Sequence, residues 1–204
     1  MIIVAISGGT ASGKTTLSKK ILNHYGGIKS NYLSLDSYYK DFSDISFSER
    51  SKINFDSPDS IDFELFYQHL NQYKNGIAVK TPCYSYKRHK RLKKTKLLRQ
   101  GELLILDGIL ILLKKNIREF FDLSIFLDVD SNKRLQRRIK RDIKERGRSE
   151  IEVSERFTKM IEPMHEKHVN PCKHFADIIV DNNCDFRLIQ EKIDHTINGV
   201  NKKN

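Results

Sequence analysis

The strongest constraint on the fold of this chain is the run Gly8-Gly9-Thr10-Ala11-Ser12-Gly13-Lys14-Thr15. It matches the pattern Gly-x4-Gly-Lys-Ser/Thr of the phosphate-binding P-loop, which joins a buried strand to a helix. Both flanks agree. The apolar run over residues 2–6 predicts a strand covered on both faces, and the spacing of Leu17 and Ile21 predicts a helix after the loop. We therefore expect an α/β fold with a mainly parallel sheet.

The chemistry of this loop follows from its backbone. Glycines let successive N–H groups point inward and form an anion cradle, and the following helix adds the positive end of its dipole. Lys14 is placed to reach the β- and γ-phosphates, and the Thr15 hydroxyl to ligate Mg²⁺. The predicted ATP-binding residues are Gly8, Gly9, Thr10, Ala11, Ser12, Gly13, Lys14, Thr15 and Thr16. The motif predicts nucleoside triphosphate binding and leaves the phosphoryl acceptor open.

Length and charge set the next limits. The 204 residues predict one domain over 1–204, and the formal net charge of +11 suits an anionic small substrate, RNA or a membrane surface. The cysteines (Cys83, Cys172 and Cys184) lack metal-ligand spacing and are odd in number, which favours reduced thiols in a cytoplasmic protein. No apolar stretch approaches the ~20 residues that a membrane helix needs, so we expect no membrane association.

Two acidic residues follow predicted strands. Residues 32–35 predict a short strand that ends at Asp36, and residues 103–106 predict a buried strand that ends at Asp107. In open α/β sheets the ligand crevice lies at the carboxyl ends of the strands. Asp107 fits the Walker B position, where a carboxylate holds Mg²⁺. For Asp36 two interpretations stay open: a catalytic carboxylate, or a helix cap or solvated charge.

A second acidic group surrounds a predicted helix start. Ser60 is the predicted N-cap of a helix whose apolar face includes Ile61. Asp56, Asp59 and Asp62 are then either acids favoured by the helix dipole or acceptors for sugar hydroxyls.

Two basic segments complete the pattern. Residues 77–100 predict a β-hairpin with a basic tip at 87–91, either an RNA-binding surface or a flap over a substrate. Residues 133–156 predict an Arg-rich helical region in which Arg134, Arg138 and Arg141 share one face. So many guanidiniums predict a face outside the deep core. A solvated surface, an RNA stripe and a lid over triphosphate all stay open.

Further strands are predicted at 123–127 and 178–180, and a helix over 152–168 with an interruption near Pro163. The resulting architecture is a three-layer fold of the P-loop NTPase type, with a projecting hairpin flap at about 77–100 and an Arg-rich lid at about 133–156.

Beyond the P-loop, the chain resembles the uridine kinase family, the uridine–cytidine kinases of pyrimidine salvage. The matching segments are Leu-Asp-Ser-Tyr-Tyr-Lys-Asp at 35–41, Asn-Phe-Asp-x-Pro at 54–58, Pro-x-Tyr-x-Tyr-x-x-His-x-Arg at 82–91, Asp-Gly-Ile-Leu at 107–110, Arg-Arg-x-x-Arg-Asp-x-x-Glu-Arg-Gly-Arg at 137–148 and Pro-Met-His-Glu at 163–166. The similarity spans nearly the whole chain, and the flap and Arg-rich segments are more specific than the P-loop.

The resemblance implies transfer of a phosphoryl group from ATP, or GTP, with Mg²⁺, to the 5′-hydroxyl of uridine and cytidine. Asp36 is then the general base, and Lys14, Arg141 and Arg146 act on the phosphates. The implied metal site consists of Thr15, Asp36 and Asp107. Asp107 stands where the family usually has Glu, so its side chain is one methylene shorter.

On the acceptor side the resemblance implies that Asp56 and Arg138 bind the ribose hydroxyls. Tyr84, His89 and Arg148 would contact the base, and Arg156 falls where a base-contacting Gln is usual. The resemblance also implies a homotetramer in the cytoplasm, with no role for nucleic acid.

Three alternatives are kept. Phosphoribulokinase, or another small-molecule P-loop kinase, shares the motif but takes a different acceptor. A GTPase switch lacks support, because the chain has no Asn-Lys-x-Asp segment for reading guanine. A basic RNA-binding protein with a vestigial P-loop leaves Lys14, Thr15, Asp36 and Asp107 unexplained.

Overall fold

A computed structural model describes residues 1–181 and 186–201, so Cys184 lies outside the described residues. The strands are β1 (Ile2–Gly8), β2 (Ser30–Ser34), β3 (Val79–Ser85), β4 (Lys90–Leu98), β5 (Leu103–Asp107), β6 (Leu123–Leu127) and β7 (Ile178–Val180). The helices are α1 (Lys14–His24), α2 (Phe47–Lys52), α3 (Phe63–Lys74), α4 (Lys115–Arg118), α5 (Ser131–Arg146), α6 (Glu150–Arg156), α7 (Glu162–Met164) and α8 (Phe186–Asn201).

The central sheet has five strands in the order β2-β5-β1-β6-β7, and every neighbouring pair is parallel. β1 lies in the middle, and its carboxyl end leads into the P-loop. The register sets Ser34 and Ile6 on either side of Asp107, so the ends of β2, β5 and β1 meet at one edge. This arrangement confirms the predicted fold class with a mainly parallel sheet.

Alternation along the sheet strands builds two apolar layers. Ile2, Val4 and Ile6 pack on one face with Ile21 of α1 and Ile193 of α8. Ile3 and Ala5 face the opposite layer, which is built largely from α3 and the loops after β2 and β5. β1 and β5 are fully buried because helices cover both faces, which is why their sequences are continuously apolar.

β3 and β4 form a separate antiparallel hairpin, as predicted. The return strand begins at Lys90, inside the basic tip predicted at 87–91. The register shifts between Pro82 and Cys83, because proline cannot donate to the ladder. Residues 86–89 make the turn, and His89 adopts a left-handed φ of 47° there.

The prediction of Ser60 as a helix N-cap is wrong. Pro58–Ser60 forms a 3-10 turn, and α3 begins after Asp62, whose Oδ1 accepts the Leu65 N–H at 3.1 Å. Ile61 therefore precedes the helix. The Ser60 hydroxyl instead donates to the carbonyls of Phe55 and Ser57. An aspartate two residues further on competes successfully for the cap.

The segment after α6 also differs from expectation. The chain stays helical from Glu150 to Val169, with π-type turns at Phe157–Ile161 and His165–Val169 on either side of Pro163. No interruption occurs at Pro163. The widened turns accommodate the missing proline N–H without ending the helix.

The orientation of α5 overturns another expectation. Arg134 and Arg138 are buried, whereas the apolar side chain of Ile143 on the same helix is 45% exposed. Two acids explain this reversal, because the buried Asp142 and the partly buried Glu162 supply counter-charges to the two arginines. The guanidinium face of α5 therefore packs against the protein.

In the described part of the chain, no helix combines the length and the apolar character required to cross a membrane.

Candidate active site

The P-loop curves tightly between β1 and α1. Gly8 (φ 135°), Ala11 (φ 57°) and Gly13 (φ 106°) all lie in left-handed backbone regions, which bend the loop around a cavity. Lys14 Nζ donates to the carbonyls of Gly8 at 3.0 Å and Gly9 at 2.8 Å. Desolvation in this cradle lowers the pKa of Lys14 to about 8. The Lys14 ammonium is therefore already held at the P-loop, where the phosphates are expected to bind.

Asp107 and Thr15 meet beneath the loop. The Thr15 hydroxyl donates to Asp107 Oδ2 at 3.0 Å, and the Tyr32 hydroxyl donates to the same oxygen at 2.9 Å. Asp107 is 2% exposed. A hydroxyl and a carboxylate in contact are the oxygen ligands that Mg²⁺ takes alongside waters and phosphates. The donor set therefore fits Mg²⁺, with Asp36 nearby as a second carboxylate.

Asp36 lies on a 3-10 turn, Leu35–Tyr38, which is capped by the Ser34 hydroxyl. β2 ends at Ser34, so the predicted strand is shorter at this end, but the acid still follows its carboxyl end. Desolvation, with a smaller effect from the charge of Asp107, raises the pKa of Asp36 to about 6. The Tyr86 hydroxyl donates to Asp36 Oδ2 at 3.4 Å. A carboxyl with this pKa is suited to accept a proton near neutral pH.

Two cavities meet at Asp36. The larger, of about 1160 Å³, follows the P-loop from Thr10 to Lys20, and the smaller, of about 470 Å³, extends under the hairpin to His89 and Arg156. Both are lined by the same seven residues where they join, namely Thr10, Asp36, Tyr86, Lys87, Ile109, Arg141 and Arg146. A group bound in one cavity therefore faces a group bound in the other across Asp36.

Three arginines converge on Asp142 beside this junction. Asp142 accepts from Arg141 Nε at 2.8 Å, and it also lies 3.4 Å from Arg138 Nε and 3.5 Å from Arg146 Nη1. Burial opposes the charge of Asp142, but the guanidiniums of Arg141 and Arg146 lower its pKa. Arg141 and Arg146 line both cavities. Their charge is thus held at the junction by an internal carboxylate.

Aromatic rings line the smaller cavity. His89 stacks on Phe55 with ring centroids 5.2 Å apart, and Tyr84 packs against Phe55 and Tyr39. Burial, with a smaller effect from the Arg148 and Arg156 guanidiniums, lowers the pKa of His89, so its ring is neutral at pH 7. The Tyr84 hydroxyl is buried and makes no hydrogen bond among the described residues. This cavity suits a flat, apolar-faced ligand with polar edges.

The remaining predicted site residues also line the smaller cavity. Arg138 Nη1 lies 3.9 Å from Asp56 Oδ1, whereas Asp62 caps α3 and pairs with Arg91. Arg148 Nε lies 3.7 Å from Glu152 Oε1. Arg156 donates to the carbonyls of Ser51 at 2.9 Å and Ile53 at 2.7 Å. Two of the N–H groups of Arg156 therefore stabilise the carboxyl end of α2.

Three features of the site escaped the sequence analysis. Tyr86 reaches Asp36, and Phe55 supplies the stacking surface for His89. Helix α2, which carries Phe47 to the cavity edge, has a capping box at Ser46 and Glu49. The Ser-x-x-Glu spacing at 46–49 was the signal for that helix. Phe55 and Tyr86 belong to the family-matching segments at 54–58 and 82–91, but those segments alone assign neither side chain a role.

The P-loop, the two carboxylates at adjoining strand ends and an acceptor cavity beside them define the class of P-loop small-molecule kinases. The sequence matches the model of the Phosphoribulokinase / Uridine kinase family over residues 3–188, and the chain belongs to that family.

Relatives of known name agree. The uridine kinase of Halalkalibacterium halodurans is 40% identical over 179 residues, which cover 88% of this chain and 85% of that protein. The uridine kinase of Staphylococcus carnosus is 38% identical over 201 residues, 97% of each chain.

Solved structures support the fold. Phosphoribulokinase from Rhodobacter spheroides gives a TM-score of 0.68 at 16% identity, covering 88% of this chain and 69% of that one. D-glycerate 3-kinase from Cryptococcus neoformans gives 0.60 at 18% identity, covering 81% and 78%.

Proposed function

We propose that this protein transfers the γ-phosphoryl group of ATP to the 5′-hydroxyl of uridine, with cytidine as a second acceptor. The observation that carries the proposal is the meeting of the phosphate cavity and the aromatic cavity at Asp36. The family and the names of the relatives support the nucleoside as acceptor.

In this mechanism Asp36 accepts the proton of the 5′-hydroxyl as its oxygen attacks the γ-phosphorus. Thr15 and Asp107 would hold Mg²⁺ together with Asp36, and the ion would supply positive charge against the β- and γ-phosphates. Lys14 leaves the loop carbonyls for the phosphates, because an oxyanion is a stronger partner than a neutral carbonyl. Arg141 and Arg146 lie at the junction, where charge develops in the transition state.

The nucleoside occupies the smaller cavity. Asp56 accepts from the ribose hydroxyls, and Arg138 fixes its carboxylate. The base lies against the Phe55–His89 stack, where the unpaired Tyr84 hydroxyl offers a hydrogen bond at its edge. Arg148 and Arg156 add donors that suit the carbonyl oxygens of a pyrimidine.

A coupled assay of nucleosides and sugar phosphates with Mg²⁺ and either ATP or GTP tests the proposal. We expect turnover with uridine and cytidine, and none with ribulose 5-phosphate, because an aromatic cavity suits a planar base. Turnover of ribulose 5-phosphate alone would support the phosphoribulokinase alternative.

Assembly and location remain predictions. The resemblance supports a homotetramer in the cytoplasm with no nucleic-acid partner. Light scattering of the purified protein should give four times the 23.9 kDa chain mass, and a mass of one chain would contradict the tetramer.

A further inference from the structure

Arg134 in α5 is a buried cation to which neither the motif nor the resemblance assigns a role. It is 2% exposed. Its Nε donates to the Val129 carbonyl at 3.0 Å, and its Nη2 donates to both carboxylate oxygens of Glu162 at 2.8 Å. Its Nη1 is buried and finds no hydrogen-bond partner among the described residues. Enclosing a guanidinium costs free energy, so its position requires an explanation.

The P-loop lies directly against this guanidinium. A Cβ built on Gly9 would lie 2.8 Å from Arg134 Cδ, 2.9 Å from Nη1 and 3.0 Å from Nε. The first two distances are too short for a real side chain, and the third is at the limit. Gly9 does not have a left-handed φ, so its backbone conformation would accept other residues. Glycine is required at this position because the Arg134 side chain occupies the space that a Cβ would need.

The same helix contacts the loop at two further points. Arg138 Nη1 donates to Thr10 Oγ1 at 2.6 Å, and Arg137 Nη1 donates to the Ser12 carbonyl at 3.3 Å. Arg137 lines the phosphate cavity, whereas Arg134 lies behind the loop and outside the described lining of both cavities. An effect of Arg134 on the position of a bound phosphate would therefore pass through the backbone at Gly9, which the guanidinium contacts directly.

We propose that Arg134, fixed by Glu162, is a positioning residue that sets the P-loop backbone at Gly9 and thereby the affinity for nucleotide. The proposal rests on the proposed function only in that the loop binds the phosphates. Glu162 belongs to the continuous helical segment that begins with α6 and carries Arg156 to the acceptor cavity. The Arg134–Glu162 ion pair thus connects the residue that supports the P-loop to the helical segment that lines the acceptor cavity.

A double-mutant cycle tests this contact. Binding of Mg²⁺·ADP and of uridine is measured by calorimetry for the wild type, Gly9→Ala, Arg134→Ala and the double variant. We expect each single change to weaken ADP binding by about tenfold or more, because small displacements of a binding group are costly. In the Arg134→Ala background, Gly9→Ala should cause little further loss of ADP affinity, since the side chain that would clash with the new Cβ is absent. Uridine affinity should stay within about twofold throughout.

Glu162→Gln provides a second variant in case Arg134→Ala does not fold. It keeps the shape and one acceptor but removes the counter-charge, so KM for ATP should rise while KM for uridine stays unchanged. Lys115→Ala removes an exposed cation from α4 and serves as the matched control for lost charge. Thermal melting of every variant separates a fold defect from a binding defect.

Equal costs of Gly9→Ala in both backgrounds would overturn the proposal, as would wild-type ADP affinity in folded Arg134→Ala and Glu162→Gln. These outcomes are distinct from a failure of the proposed function. A wild type that binds ADP but does not phosphorylate uridine would refute the acceptor and leave the role of Arg134 intact.

Discussion

The pKa values of two site residues set how activity should depend on pH. Asp36 has a pKa raised to about 6 and must be ionised to accept a proton, so activity should fall about tenfold per unit below pH 6. Lys14 has a pKa lowered to about 8 and must be charged to bind phosphate, so activity should also fall above pH 8. We expect a bell-shaped profile of kcat/KM for ATP with these limits. A flat profile between pH 5 and 7 would exclude Asp36 as the base.

Tyr86→Phe probes the acidic limb of this profile. The change removes the hydroxyl that donates to the ionised form of Asp36, and a carboxylate that loses a hydrogen bond has a higher pKa. The acidic limb should move to higher pH. An unchanged limb with a lower kcat would instead assign Tyr86 to substrate positioning.

Asp36→Asn should lower kcat by about 10² or more with little change in KM for uridine, because general-base catalysis contributes ~10²–10⁴. The same change should stabilise the protein at pH 7. The folded-state pKa is raised, so the fold binds the proton more tightly than the unfolded chain, and stability falls as pH rises from about 4 to 6. The neutral amide avoids that loss. Melting temperatures at pH 4 and 7 check the sign of this effect. The variant should melt at a higher temperature than the wild type at pH 7 and at the same temperature at pH 4.

Lys14→Ala should abolish nearly all turnover and leave a folded protein. In the described part of the chain its ammonium donates to carbonyls of the loop, and electrostatic stabilisation supplies most catalysis in phosphoryl transfer. Circular dichroism and steady-state kinetics measure the two effects, with Lys115→Ala as the control. Near-normal kcat in the variant would refute the role assigned to the P-loop.

At the scale of elements, the hairpin is the part whose role the sequence left most open. Its Tyr84 and His89 lie in the aromatic cavity, away from the P-loop. His89→Ala and Tyr84→Phe should therefore raise KM for uridine more than they lower kcat, since they supply uniform binding. The RNA-binding alternative predicts the reverse: weaker, salt-dependent oligonucleotide binding and unaltered uridine turnover.

The Arg-rich lid has two parts that meet at Asp142 and differ in burial. Before Asp142, α5 is anchored to the P-loop through Arg138, and its Arg134 side chain is buried. After Asp142, the helix is exposed up to its end at Gly147. We expect amide exchange at residues 143–150 to slow when an ATP analogue and uridine bind together, and residues 134–142 to be protected already in the free protein. Equal exchange with and without ligands would identify a static surface element. Arg141→Ala and Arg146→Ala should both reduce kcat.

Local sequence was sufficient to predict those elements whose hydrophobic pattern matches their burial in the fold. β1 and β5 contain continuous apolar runs, and β6 is apolar except at Ser124, because both sheet faces are covered. The P-loop motif fixes its own flanks. Ser60 failed as a cap because Asp62 stood two residues away. The buried arginine face of α5 was unpredictable from the helix alone, since Glu162 lies 28 residues further along the chain. Charge partners brought together by the fold are invisible to a periodicity argument.

At the scale of the whole molecule, the parallel sheet brings residues distant in sequence to one edge. Thr15 meets Asp107 across 92 residues, and Tyr86 meets Asp36 across 50. The hairpin is attached outside the sheet, so it can vary the acceptor cavity without altering the P-loop itself, although Ser85, Tyr86 and Lys87 also line the phosphate cavity. This division agrees with a family that includes relatives with different acceptors in their names.

Asp142 gives the arginine cluster the character of an ion exchanger already loaded with its counter-ion. A phosphoryl group that enters the junction would compete with this carboxylate for the charge of Arg141 and Arg146. The net gain is therefore the difference between two ion pairs and not the full strength of one. When the product leaves, the carboxylate takes the guanidiniums back. The cluster can thus favour the highly charged transition state without retaining what the reaction makes.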